Sequence, residues 1–542
     1  MKLTSAPCHV NRMGRGALHF SKGMLQALFS RDWGKSTAMR PFGEGVGRIC
    51  GVAAAATARE LRGLFRQALR YTRTVELRLD WLRSDLERQK FLTSLRRFHA
   101  KGAVFVATCR RRVGGGEFTG DAGAELYWLM KARQAGCQWC DLEVETLREL
   151  PGMSVEGYAI PPKVMLSMHD FRRTPKLPSK LKVPREGGVD AIKMAAMSRT
   201  IGDSVRLLKV LRHSRQVVAV PMGEIGMPGR LLALREGSAL AYAPVAAETA
   251  PGQVHLRDFK ELYRAHQITG RTRVFGVIGN PVGHSLSPAL HNTGYVAAKK
   301  DAVLLPFLVE RLEDFLKAVP EFGVSGFCVT IPHKEAIFRR LDDCEPLSQR
   351  IGAVNTVTVR RDGSLYGSNT DYLGVLRALE KELRLRGSRV LIFGAGGSAR
   401  AAAFAVAQAG AEVLICARRE TAARTLARAV GGDVVRRSAL GKERFDAILN
   451  ATPVGMHPQD GTSPLKAGEL HCSVVMDLIY RPLQTKLLQI AAAKGIRTVS
   501  GVEMFLAQGI AQWELWMGSR APEVAMRRAV LRALQTGKQK RW

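Results

Sequence analysis

Apolar and polar positions along the chain follow two successive patterns. From Ile49 onward, short apolar runs recur between segments of helical spacing. Eight runs read as strands: Cys50–Ala54, Thr74–Asp80, Ala103–Thr108, Trp139–Val144, Lys163–Met168, Ala191–Ala195, Val217–Pro221 and Ala239–Pro244. Leu61–Tyr71, Asp85–Phe98 and Ala124–Ala135, between them, read as helices. Eight strands alternating with helices over about 200 residues predict a (β/α)8 barrel. Such barrels carry their chemistry at the C-terminal strand ends, where Asp80, Arg110, His169 and Lys193 fall.

Leu256–His266 reads as a connecting helix, and the pattern changes after Arg271. Val274–Gly279 is a strand ending in a Gly/Asn/Pro turn. A second strand, Arg389–Phe393, runs into Gly394, Ala395, Gly396, Gly397, Ser398 and Ala399, and an alanine-rich helix follows. A strand, a glycine turn and a helix form the dinucleotide-binding context: the glycines admit the pyrophosphate and the helix N-terminus favours its charge. The next strand, Glu412–Cys416, ends in Ala417-Arg418-Arg419 rather than in an acid. Two guanidinium groups suit a ribose 2′-phosphate, so NADP(H) is expected over NAD.

Composition narrows the classes. The chain has 542 residues, of which 46% are apolar and 24% charged, as in globular proteins that bury large cores. No run reaches the roughly 18 apolar residues of a membrane span, and no membrane partner is expected. Net charge is +34, but the basic residues are dispersed apart from the tail Lys538-Gln539-Lys540-Arg541. With no zinc finger, basic zipper or RNA-binding signature, no nucleic-acid partner is expected. Nine cysteines are too few for a disulfide scaffold and indicate a reducing compartment. Cys137-Gln138-Trp139-Cys140 lacks a second pair for zinc and reads as packing, so no metal is expected. Residues 1–48 hold eight Lys/Arg and only Asp32 and Glu44. This composition reads as a disordered extension, of either transit-peptide or over-long-start origin. A cytoplasmic location is expected, with a plastid as the alternative if the extension is a transit peptide.

The second half carries ordered motifs: Ser285-Leu286-Ser287-Pro288, Val329-Thr330-Ile331-Pro332-His333-Lys334, Gly352–Thr356 and Asn369-Thr370-Asp371. Asn450–Met456, Asp477–Tyr480 and Gly501–Met504 follow the glycine turn. Hydroxyl and amide groups at Ser285, Ser287, Thr330 and Asn355 suit a polyhydroxylated acid. An ammonium at Lys334 suits a developing alkoxide, with Asp371 to orient it. Over residues 273–537 this set resembles shikimate dehydrogenase. The resemblance implies Lys334 and Asp371 as the catalytic pair, Tyr480 and Gln508 as further substrate contacts, and Leu478 and Gly501 beside the nicotinamide. Cys328 and Ala417 replace the asparagines usual in that family.

The first half contains Glu76-Leu77-Arg78-Leu79-Asp80, Thr108-Cys109-Arg110, Ser167–Phe171, Ile192–Ala195, Met222-Gly223, Gly229-Arg230 and Ala250–Gln253. Lys193 lies in an apolar strand, where desolvation favours a neutral, nucleophilic amine. His169 suits a general base and Arg230 a carboxylate. Over residues 48–255 this set resembles type I 3-dehydroquinate dehydratase. The resemblance implies a covalent imine between Lys193 and substrate, with Glu76, Arg78, Arg110, Gln253 and Thr249 around the ring. Relatives carry a glutamate before a Gly-Gly pair, where it orients the histidine. Here Gly114 precedes Gly115-Gly116, leaving Asp170 and Glu117 as the candidate replacements.

The fold expected is thus α/β: a TIM barrel (48–258), a linker helix (259–272), and a two-lobed unit. That unit comprises a shikimate-binding lobe (273–375, completed by 508–537) and a Rossmann NADP lobe (376–507), and the extension occupies 1–47. The expected function is bifunctional: dehydration of 3-dehydroquinate, then NADPH-dependent reduction of 3-dehydroshikimate to shikimate. A quinate- or NAD-preferring second half is the first alternative, and a decayed basic binding protein the second. Oligomeric state is not legible.

Overall fold

The valine-, alanine- and leucine-rich runs of the first half are buried along nearly their whole length, as strands covered on both faces must be. The computed structural model describes residues 47–535, apart from 99–101, 152–153, 178–187, 214–215 and 247. The expected extension therefore lies outside the described residues, Gly47 excepted.

The eight expected strands all form: β1 (Ile49–Ala53), β2 (Thr74–Arg78), β3 (Val104–Thr108), β4 (Trp139–Glu143), β5 (Lys163–Asp170), β6 (Ala191–Met197), β7 (Val217–Met222) and β8 (Ala241–Pro244). All their pairings are parallel, in the order 7-6-5-4-3-2-1-8. The barrel is nearly closed. No ladder joins β7 to β8; a bond from Ala239 N–H to Val217 O spans that seam at 3.3 Å. Most ends shift by one or two residues, and two of the boundaries that differ from expectation change an element's character. Asp80 leaves β2 for a 3-10 turn, Leu79–Trp81, where it takes two hydrogen bonds from Arg78. The connecting helix stops at Glu261, and a 3-10 turn (Ala265–Gln267) follows Arg264, whose φ is 49°.

The second half forms two sheets. In the first, β9 (Arg273–Gly279) lies between β10 (Ala302–Leu308) and β11 (Val324–Val329). The sheet continues through β13 (Thr356–Val359) and β14 (Leu365–Ser368) to β12 (Asp343–Cys344). In the second, β15 (Arg389–Phe393), β16 (Glu412–Cys416), β17 (Asp433–Val434), β18 (Ala447–Asn450), β19 (Val474–Asp477) and β20 (Arg497–Val499) run parallel. Their order, 17-16-15-18-19-20, is that of a dinucleotide-binding sheet, with its switch point between β15 and β18. Two closing helices, Gly501–Met517 and Glu523–Gln535, return to the first lobe. There Trp513 and Trp516 pack on Tyr295 and Phe275. Among the described residues, no helix is long and apolar enough to cross a membrane.

Barrel and first lobe share one hydrophobic cluster, in which Leu207, Leu208 and Leu231 join Phe307, Phe315, Phe322 and Phe327. Around it, Glu321 pairs with Lys209 at 2.6 Å and Arg212 at 3.6 Å, and Arg235 donates to Phe322 O at 3.4 Å. The ion pairs are partly solvated and weak, while the aromatic burial is substantial. Glu321→Ala should therefore cost at most about 1 kcal/mol, and Phe322→Ala about 3–5 kcal/mol. Thermal unfolding midpoints of the two variants check this ordering.

Candidate active sites

A side-chain period of two places Asp141 and Glu143 of β4 on one face, and both are sealed from solvent with the neighbouring charges. Lys193 of β6 donates to Asp141 Oδ2 at 2.6 Å, lies 3.6 Å from Glu76 Oε1 of β2, and stands 4.2 Å from the Tyr242 ring centroid of β8. Lys193 lies in an apolar strand, as read from the sequence, and its Nζ meets two carboxylates and a π face there. Thr108 donates to the same Glu76 oxygen at 2.8 Å. Arg110 bridges Glu143 (Nε–Oε1, 2.6 Å) and Asp141 (Nη2–Oδ1, 3.3 Å).

His169 Nδ1 sits 3.0 Å from Glu143 Oε2, and Phe171 stacks beside the ring, with centroids 5.9 Å apart. The expected partners of His169 are corrected here. Asp170 caps the turn at Arg172 and Arg173, and Glu117 is exposed, with its backbone N–H bonded to Asp80. Sequence reading missed Glu143 because it was taken as part of a strand; the acid–apolar–acid spacing at a barrel strand end was the available signal. Burial and the adjacent Arg110 and Lys193 cations keep the His169 imidazole well below its ordinary pKa. Burial pushes Glu143 up to about 7, against the pull of Arg110. At Asp141 burial opposes ionisation, but Lys193 and Arg110 outweigh it and hold the carboxyl below its usual range.

Arg230 lies on the helix Met227–Arg235 that follows β7. Its Nη2 donates to Pro251 O at 2.8 Å, whereas Nε and Nη1 are buried without a partner. Burial lowers it to about 10. In the following loop, Gln253 Oε1 accepts from Thr249 N, Thr249 Oγ1 and Ala250 N.

In the second half, Lys334 begins a short helix after β11 and Asp371 begins the helix after β14. Lys334 Nζ donates to Asp371 Oδ2 at 2.6 Å and to Ser398 Oγ at 3.4 Å, so substrate-side and nucleotide-side residues meet at one ammonium. Asn355 Nδ2 donates to Asp371 Oδ1 at 2.7 Å, Thr370 Oγ1 at 3.0 Å and Gln508 Oε1 at 3.4 Å. Its Oδ1 accepts from Thr370 N at 2.7 Å. Ser285 Oγ accepts from Ser287 N at 3.3 Å, and both serines are buried. Thr330 is held by its backbone to Ile278 O at 3.0 Å. Tyr480 packs on Phe505 without joining the Asn355 network, and burial pushes its phenol up to about 12. Cys328 meets Gln512 Oε1 at 3.3 Å, and Gln512 passes the contact on to Thr356.

The nucleotide-side residues fit a dinucleotide. Gly394, at φ 128°, closes β15 at the switch point, where an added Cβ would lie 3.0 Å from Ala451 O. The helix Gly397–Gln408 then presents its N-terminus. Gly501 approaches Leu478 closely, its Cβ position 2.5 Å from Leu478 O. Arg418 and Arg419 are exposed at the end of β16. Among the described residues no cluster of His, Cys, Asp and Glu is suited to a metal ion.

An amine set for carbonyl chemistry in a barrel and an ammonium facing a nucleotide-binding sheet are sites of different kinds, and their presence in one chain defines a lyase–oxidoreductase fusion. Residues 49–269 match the family described as type I 3-dehydroquinase. Residues 277–357 match the shikimate dehydrogenase substrate binding domain, and 501–531 the shikimate 5′-dehydrogenase C-terminal domain. The chain is 33% identical over 475 residues to the chloroplastic bifunctional 3-dehydroquinate dehydratase/shikimate dehydrogenase of Arabidopsis thaliana, covering 83% of this chain and 78% of that one. It is 42% identical to the shikimate dehydrogenase (NADP(+)) of Methanosarcina acetivorans, over 48% of this chain and 99% of the other. A crystal structure of the Thermus thermophilus shikimate 5-dehydrogenase with NADP(H) and shikimate covers 48% of this chain and 100% of its own, at 38% identity and TM-score 0.45. The chain belongs to the bifunctional 3-dehydroquinate dehydratase/shikimate dehydrogenase family.

Because Asn355 ties together Thr370, Asp371 and Gln508, its truncation strands several buried polar atoms. Asn355→Ala should cost about 1–3 kcal/mol of stability, read as a lowered thermal midpoint of the intact chain.

Proposed function

We propose that this chain performs two consecutive shikimate-pathway steps: dehydration of 3-dehydroquinate in the barrel, and NADPH-dependent reduction of 3-dehydroshikimate to shikimate in the second half. The observation that carries the reading is the pairing of Lys193 and His169 on adjacent strands, joined through Asp141, Arg110 and Glu143. The domain boundaries that go with it are a barrel over 48–258, a linker over 259–272, a shikimate lobe over 273–375 completed by 508–537, and an NADP lobe over 376–507.

In the barrel, Lys193 transfers a proton to Asp141 or Glu76, and its neutral amine attacks the substrate ketone. Water leaves, and an imine forms. His169 removes a proton from the adjacent carbon, and the electron pair moves into the imine nitrogen. The pair then returns to expel the ring hydroxyl, which takes the proton from His169 and departs as water. Hydrolysis of the imine releases 3-dehydroshikimate and Lys193. The unpartnered Nε and Nη1 of Arg230 leave donors for the substrate carboxylate. Glu76, Arg78 and Arg110, with Thr249 and Gln253 from the closing loop, hold the hydroxyls.

In the second half, bound NADPH supplies the hydride. Ser285, Ser287, Thr330, Asn355, Tyr480 and Gln508 hold the substrate. Lys334 stabilises the alkoxide and protonates it, and Asp371 orients that ammonium. Gly394, Ala395, Gly396, Gly397, Ser398 and Ala399 form the pyrophosphate turn, Arg418 and Arg419 take the 2′-phosphate, and Leu478 and Gly501 bound the nicotinamide side. The Arabidopsis relative is named chloroplastic. A plastid fits that likeness, and a cytoplasm fits the sequence reading.

Adding 3-dehydroquinate alone to the chain with NADPH should deplete NADPH and yield shikimate. Lys193→Ala should abolish this while leaving 3-dehydroshikimate reduction intact; Lys334→Ala should slow the reduction about 100-fold or more and leave dehydration intact. No NADPH loss with either substrate would sink the reading. Arg418→Ser/Arg419→Ser should raise the KM for NADPH about tenfold or more with little effect on NADH, read by initial rates with each cofactor; quinate oxidation with NAD exceeding shikimate oxidation with NADP would favour the alternative.

A further inference from the structure

Three glycines follow Arg110 after β3, and they meet different neighbours. An added Cβ on Gly116 would lie 2.1 Å from Arg110 O, so no side chain fits there. One on Gly115, whose φ is 80°, would lie 2.3 Å from Phe171 Cε2. One on Gly114 would lie 2.7 Å from Glu143 Cγ and 3.2 Å from its Cδ. Gly114 does not adopt a left-handed backbone, so space alone excludes a side chain there. A residue at 114 larger than glycine and the observed Glu143 rotamer cannot coexist.

The resemblance to the type I dehydratases implies a histidine-orienting glutamate at position 114, where this chain has glycine. We propose that Glu143, reaching across from β4, is the residue that positions His169 in this chain, and that Gly114 is the space that admits it. The inference rests on the barrel being the dehydratase. Each carboxylate oxygen of Glu143 has one job. Oε1 accepts from Arg110 Nε at 2.6 Å, which fixes the carboxylate, and Oε2 faces His169 Nδ1 at 3.0 Å. A proton held on Nδ1 leaves the lone pair on Nε2, the ring atom that must serve as base. Phe171, seated over Gly115, holds the ring plane at 18° to its own. The two glycines thus admit the two groups that fix the imidazole, one at its edge and one at its face.

The charged groups facing His169 are Arg78 from β2, Arg110 from the β3 loop, Asp141 and Glu143 from β4, and Lys193 from β6. Asp141 favours a proton on the imidazole from a distance, and removing the Glu143 carboxyl removes the one in direct contact with it, 3.0 Å from Nδ1. The acid limb of dehydration then moves to lower pH, whereas a role confined to packing leaves that limb in place.

The test uses the full-length chain, with 3-dehydroshikimate reduction on each preparation as the internal control. Borohydride trapping of 3-dehydroquinate on Lys193 reports that the barrel is folded. Glu143→Gln should still trap substrate, lose about tenfold or more in dehydration kcat, change KM less than kcat, and show the acid limb displaced downward. Gly114→Glu alone should lose activity by the steric overlap. Gly114→Glu/Glu143→Ala, with the acid supplied from the loop instead, should recover about threefold or more over either single variant. A Glu143→Gln enzyme with wild-type kcat and pH profile, or a Gly114→Glu enzyme as active as wild type, would overturn the inference alone. A wild-type chain without dehydration would overturn the reading beneath it as well.

Discussion

The barrel mouth depends on one constraint: charges removed from water must find partners. Four cations (Arg78, Arg110, Lys193 and Arg230) and four carboxyls (Glu76, Asp80, Asp141 and Glu143) are all buried there. An isolated charge in such surroundings costs several kcal/mol, and that cost orders the site. Arg78 closes on Asp80, Lys193 on Asp141 and Arg110 on Glu143. Glu76 is shared between Thr108 and Lys193. Arg230 breaks the pattern: it has a carbonyl on one nitrogen and two nitrogens unpartnered. Two buried guanidinium donors therefore remain unsatisfied within the barrel, which suits the carboxylate proposed to bind there.

The same constraint sets the protonation states. His169 is buried and faces Arg110 and Lys193; burial and the two cations hold its pKa well below the ordinary value, as the proposed role of base requires. Burial raises Glu143 to about 7 and lowers His169, so the carboxyl takes up a proton before the imidazole does as pH falls.

Strand positions were legible because fully buried parallel strands are continuous apolar runs, and the glycine turn after Phe393 announced the nucleotide sheet by its order of elements. The motif residues were legible one by one: Lys334, Asp371, Asn355 and Gln508 meet in one network. Partners recruited across strands were not. Glu143 is 26 residues from His169, and Asp141 is 52 from Lys193. Such separations leave no local trace except the two-residue period of acids on β4. The end of the connecting helix at Glu261 was equally hidden, since Arg264 takes a left-handed conformation that no glycine announced.

In the proposed function the two halves use one contact for opposite ends. Lys193–Asp141 and Lys334–Asp371 each have Nζ–Oδ2 distances of 2.6 Å. The barrel amine has a second carboxylate, Glu76, at 3.6 Å, and the Tyr242 ring at 4.2 Å. The dehydrogenase ammonium has one carboxylate, and Asn355 already donates to that carboxylate's other oxygen. Its second contact is Ser398, on the nucleotide-side helix. Asp141 is occupied as well, its other oxygen accepting from the Arg110 guanidinium, so the nearest carboxylate does not separate the two lysines. The proposed nucleophile and the proposed acid are distinguished by what else each amine meets: a second carboxylate and a π face for Lys193, a nucleotide-side hydroxyl for Lys334.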